Sequence, residues 1–150
     1  MSVFETPDLK KLEDYPIWKE TSEIVEYMYG QLGEFPDDEK WNTKIKLQNT
    51  SNELLFTMAQ ALGDSAPANK EYIWSQVRKS ATALKAMYRF ACRQKFLSIE
   101  PEMMVRLDKL LKQIDAEVEK AYKRTKAANL EEIEFWQKKY HMWQEMTHEK

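Results

Sequence analysis

The chain has 150 residues, 43 % hydrophobic and 32 % charged, with a formal net charge of −2. That length supports one domain with a sizeable core, and no apolar run approaches the roughly 20 residues of a membrane-spanning helix. The opening MSVFETPDLKK lacks the apolar stretch of a secretory signal, and the lone Cys92 excludes an intramolecular disulfide framework, so the expected location is the cytoplasm.

Charge is unevenly spread. Residues 1–40 are rich in acids, whereas residues 65–97 hold only Glu71 against Lys70, Arg78, Lys79, Lys85, Arg89, Arg93 and Lys95. The near-neutral total therefore hides a basic segment and an acidic one. Three glycines and five prolines leave few places for the chain to turn.

Residues 1–14 show no period and read as an N-terminal arm. A first helix is expected from Pro16, a favoured first-turn residue. Trp18, Thr21, Val25, Met28 and Leu32 recur at spacings of three and four, and Gly33 is placed to close the helix. Phe35-Pro36-Asp37-Asp38 reads as a turn into an acidic helix start.

The second helix is expected from about Asp38 to Leu62. Trp41, Ile45, Gln48, Asn52, Leu55, Ala59 and Leu62 make one seam, and Leu47, Leu54, Met58 and Ala61 a second. Two seams imply two packing partners, either inside the bundle or across an oligomer interface. Gln48 and Asn52 read as a buried hydrogen-bonded pair that fixes register.

Gly63-Asp64-Ser65-Ala66-Pro67 breaks the chain. A third helix is expected from about Ala68 to Arg93, with Trp74, Val77, Ala81, Leu84, Tyr88 and Ala91 as its core stripe. Arg78, Lys85, Arg89 and Arg93 share a neighbouring face with Thr82, and Lys79 lies beside them. Ala83, Met87 and Phe90 form a third, apolar face.

The fourth helix is expected from Ser98, a candidate N-cap, with Pro101 in its first turn. Met104, Leu107, Leu111, Ile114, Val118, Ala121 and Thr125 form its stripe. Asn129 with Glu132 reads as the capping pair of a fifth helix. Leu130, Ile133, Trp136, Tyr140 and Trp143 then line one face. The reading is all-α: an up-down four-helix bundle over residues 15–126 and a helical extension over 127–150.

The basic strip of Arg78, Lys79, Lys85, Arg89 and Arg93 suits phosphate neutralisation, with no residue pattern for base readout. Trp136, Tyr140 and Trp143 suit a protein interface, since large aromatics supply contact area at modest entropy loss. No glycine-rich phosphate loop is present. Glu145-Met146-Thr147-His148 is a single Glu-x-x-His motif, short of the pair a di-iron bundle requires. Neither a metal nor a cofactor is expected. Cys92 reads as a core or interface thiol.

The opening LEDYPIWKETSEIVEYMYGQLGEFPDDEKW, the helix containing KEYI and the stripe from Met104 to Tyr122 resemble a family of small bacterial four-helix-bundle proteins. That family includes proteins encoded in intervening sequences of large-subunit ribosomal RNA genes. It also includes Avd, the accessory variability determinant of diversity-generating retroelements. The resemblance covers roughly residues 12–124. It implies an up-down bundle, a ring-like homopentamer and no catalytic site. Its Avd branch further implies RNA or DNA binding and association with a reverse transcriptase. Members commonly carry an Arg-Arg pair where this chain has Gln48-Asn49, and an Ala-Glu-Gly where it has Ala59-Gln60-Ala61. The expected function is thus a non-enzymatic oligomeric accessory protein. The alternative is a protein–protein scaffold that keeps the bundle without binding nucleic acid.

Overall fold

The computed structural model describes residues 12–63 and 67–148. The fold is all-α: the long elements are helices α1 (Pro16–Gln31), α2 (Thr43–Gly63), α3 (Pro67–Arg93) and α4 (Pro101–His148). Most of the proposed N-terminal arm and residues 64–66 of the second turn lie outside the described residues. α2 packs on α3, α3 on α4, and α1 on both α2 and α4. The core sits between them.

Local chemistry sets the boundaries. Pro16 is the first helical residue of α1 and holds Tyr15 extended, with φ −88° and ψ 118°. α1 ends at Gln31 and tightens into the short turn Leu32–Glu34. Gly33 does not close it in the left-handed conformation, since no glycine among the described residues has a positive φ. Leu32 and Phe35 are buried instead, and the Phe35 ring lies 6.0 Å from that of Phe96. This apolar plug ends α1 where a glycine was expected to.

The second helix starts later than its acidic lead-in suggests. Asp37–Glu39 forms its own short turn, and α2 begins at Thr43. The Glu39 carboxylate accepts bonds from the Thr43 backbone N–H (3.4 Å) and hydroxyl (3.0 Å), satisfying the new helix start. Trp41 is therefore in the connection and 78 % exposed, outside the seam assigned to it.

The two seams of α2 also exchange roles. Leu47, Leu54, Met58 and Ala61 are buried in this bundle's own core, and with Ser51 they form the inward stripe. That seam is not left for another subunit. Asn52 is exposed, and its side-chain oxygen accepts a bond from the Tyr29 hydroxyl. The expected buried Gln48–Asn52 pair is absent because the inward face lies one position round, on Ser51. The Ser51 hydroxyl bonds back to the Leu47 carbonyl at 2.7 Å and so needs no other partner.

α3 follows its sequence stripe. Trp74, Val77, Ala81, Leu84, Tyr88 and Ala91 are all buried. Each fully buried side chain of Leu size contributes about 2 kcal/mol of transfer free energy. Met87 of the third face is half-buried against the core, while Phe90 stays exposed. The helix ends on Lys95 at φ 62°. Lys95 N–H donates to the Cys92 carbonyl and Phe96 N–H to the Ala91 carbonyl, both at 3.0 Å. These are the two bonds of a Schellman motif with lysine in the left-handed position where glycine is usual.

α4 begins after Glu100, whose carbonyl accepts bonds from Met103 (3.1 Å) and Met104 (3.3 Å). Ser98 precedes the helix and does not cap it. The Glu100 N–H donates to the Tyr88 hydroxyl at 3.3 Å, which ties this start to α3.

The expected separate fifth helix is the continuation of α4. The helix runs 48 residues without a break at Asn129. No glycine or proline follows Pro101, and Ala127-Ala128 are strong helix formers, so nothing stops it. At 1.5 Å per residue it is about 72 Å long. Ala121 is its last buried residue. Roughly 40 Å of helix therefore extends past the core.

Candidate interaction site

Two surfaces hold the residues singled out in the sequence. The first is the projecting arm of α4. Trp136, Tyr140 and Trp143 are 59 %, 57 % and 61 % exposed. Tyr140 and Trp143, one turn apart, stack with ring centroids 6.4 Å apart at 26°. Trp136 and Tyr140 line one shallow trough with Asn129, Glu132, Ile133, Gln137 and His141. A second strip, Phe135, Met142 and Met146, is also exposed. The Lys139 ammonium lies 4.8 Å from the Phe135 ring centre and 5.7 Å from that of Trp136.

An isolated exposed aromatic residue is ordinary. A continuous run of them on a helix that no element among the described residues covers is not, and such patches mark interaction surfaces. The helical period explains the arrangement. The seven-residue repeat from Ile114 arrives at Phe135 and Met142, so that strip continues the face α4 turns toward the core, and Trp136, Tyr140 and Trp143 lie round the axis beside it.

The second surface is the basic strip on α3, and here the structure divides the predicted set. Arg78 is ion-paired with Asp115 at 2.6 Å, and Lys85 with Asp108. Both acids come from α4, packed alongside. The pairing was not readable from α3 alone, because it depends on which face of α4 is adjacent. Arg89, Arg93 and Lys79 are exposed, and none makes an ion pair among the described residues. Lys85, Arg89 and Arg93 line a shallow groove with Thr82, Ala86 and Phe90. Arg78 and Lys79 line its continuation toward Val118 of α4. The strip thus remains one surface, with its charge concentrated in Lys79, Arg89 and Arg93.

Buried polar chemistry lies elsewhere. The Tyr27 and Tyr88 hydroxyls are 3.1 Å apart, with their rings edge to face at 6.0 Å. Burial pushes both phenols above their ordinary pKa. Cys92 is half-buried, and burial raises its thiol pKa, partly offset by a hydrogen bond with Tyr88. That is the environment of a packing thiol and not of an activated nucleophile. Among the described residues no three His, Cys, Asp or Glu side chains gather as a metal site, and no helix is long and apolar enough to cross a membrane.

No family model matches the chain, and comparison with curated proteins gives no match either.

Proposed function

We propose that this protein is a non-enzymatic accessory protein that works by docking, with the projecting arm of α4 as its protein-binding element. One observation carries the reading: the stripe from Ile133 to Trp143 is exposed along its length and contributes nothing to the core. A helix that is apolar on one face needs that face covered. The resemblance to the Avd group supplies the class: an assembling helical bundle that serves a reverse transcriptase, in the cytoplasm.

The test is capture of partners by tagged full-length protein, compared with Trp136→Ala/Trp143→Ala. A protein recovered with the wild type and lost with the variant is expected, and a reverse transcriptase is the expected identity. Equal recovery by both would refute the role of the arm.

A second reading has its own support. Lys79, Arg89 and Arg93 present unpaired positive charge beside exposed Phe90, which suits the phosphate backbone of RNA or DNA. Binding through this surface would be weakly sequence-selective, because nothing there is arranged to read base edges.

A further inference from the structure

We propose that a cleft at the end of the bundle, between Lys70 of α3 and Arg124 of α4, binds a phosphate group. The cleft lies where α4 leaves the core. It shares no residue with the aromatic stripe of the arm or with the basic groove of α3.

Ala61 of α2, Trp74 of α3 and Ala121 of α4 form a buried floor. The wall is polar: Tyr15, Lys70, Lys120 and Arg124, with the acid Glu117. The volume is about 220 Å³. That is below the roughly 300–1,000 Å³ of pockets that enclose drug-sized ligands, so the space suits one small group.

The charges do not cancel. Lys120 reaches Glu117 at 3.5 Å, which occupies the acid. Lys70 and Arg124 make no ion pair among the described residues. Lys70 is half-buried, so part of its hydration is already lost. Both cations line the cleft from different helices, and an anion between them would meet both.

Trp74 is an independent sign of a ligand. Its side chain is only 3 % exposed, and its indole N–H makes no hydrogen bond among the described residues. Every fully buried side-chain N or O atom among those residues has a partner. The indole nitrogen is therefore the part of Trp74 that still meets solvent, and it does so in the cleft that Trp74 lines. A donor so nearly buried is best satisfied by an acceptor held there.

The field agrees. α1 starts beside the cleft, with no side-chain cap and no acid in its first turn. The positive end of its dipole is uncompensated at that point. The unpaired groups of the wall and floor are an ammonium, a guanidinium and an indole N–H, all donors, and the Tyr15 hydroxyl can donate as well. Such a set has nothing to hold a cation and selects an oxyanion. With Lys70 and Arg124 both unpaired, a phosphate dianion matches better than the single charge of a carboxylate.

The test is titration of the full chain with inorganic phosphate at constant ionic strength, followed by NMR at the Trp74 indole N–H. A saturable shift of that signal at millimolar phosphate is expected. Lys70→Gln and Arg124→Gln, both at the rim, are each expected to weaken binding about tenfold. Lys79→Gln, outside the cleft, should leave it unchanged. Circular dichroism checks that each variant stays folded. Phenyl phosphate as a second probe distinguishes the source: tighter binding of the ester marks an organic phosphate as the ligand, and tighter binding of the free ion marks phosphate itself. No saturable shift with either probe, or a response that Lys79→Gln weakens as much as the two cleft variants do, would overturn the site.

Discussion

Arg106 of α4 holds Glu20 of α1 at two points, with Nε 2.7 Å from Oε1 and Nη2 3.0 Å from Oε2. The same Nη2 reaches a Glu23 carboxylate oxygen at 2.7 Å. This bidentate contact fixes the first helix against the last, across a sequence separation of 86 residues. The hydrogen bond from Arg106 holds the Glu20 carboxyl below its ordinary pKa of 4.5, with burial opposing it in part.

A depressed folded-state pKa means that the stabilisation is present above the unfolded value and is lost as pH falls through the folded one. Glu20→Gln is therefore expected to cost about 1 kcal/mol at pH 7, discounted for partial exposure. The difference from wild type should close as pH drops below 4.5. Urea unfolding at several pH values measures it, and a pH-independent difference would contradict the assignment.

The Tyr88 hydroxyl is shared by two contacts: the Tyr27 hydroxyl and the Glu100 backbone N–H at the start of α4. Tyr88→Phe keeps the ring but leaves those groups without their partner. A loss of about 1–2 kcal/mol is expected in chemical denaturation. Tyr27→Phe should cost less, because the Tyr88 hydroxyl keeps Glu100.

Lys95 sits at φ 62°, where a β-carbon is unfavourable. Lys95→Gly is expected to raise stability by about 1 kcal/mol, since the Schellman bonds to Cys92 and Ala91 do not involve the side chain. A drop in melting temperature would contradict this.

Nucleic-acid binding, where it occurs, should depend more on Arg89 and Arg93 than on Arg78 and Lys85. The latter pair is already neutralised by Asp115 and Asp108. Arg89→Glu/Arg93→Glu is expected to abolish RNA retention on filters. Arg78→Gln/Lys85→Gln should leave most of it. Each lost phosphate contact reduces the salt slope by about 1.

The sequence was most legible where one face alone decides the fold. The stripe of α3 could be read directly; on α4 Leu107, Ile114 and Ala121 are buried as read, but Met103 and Leu110 take the other inward positions and Met104, Leu111 and Val118 are only half-buried. Helix ends were less legible. Glu39 bonding Thr43, Tyr88 receiving Glu100, and the Phe35–Phe96 plug are contacts between elements, and no local cap residue signals them. Ser98 and Gly33 had the right residue type for caps, but tertiary contacts set the ends elsewhere. The two seams of α2 differ by about one position around the helix, too little for apolar spacing to separate; Ser51, small and self-satisfied, marks the inward one. The aromatic arm residues were legible as a surface feature. The unbroken helix was not, since Asn129-Glu132 mimics a start that Ala127-Ala128 override.

The central claim is that the arm acts outside the fold. Its most direct test is light scattering of a chain ending at Ala128 beside the full chain, with helical circular dichroism as the folding control. The account predicts that the shortened chain keeps its helical signal and melting temperature, while the molar mass of the assembly falls. A shortened chain that unfolds, or one that stays folded with both its assembly mass and its partner capture unchanged, would contradict it.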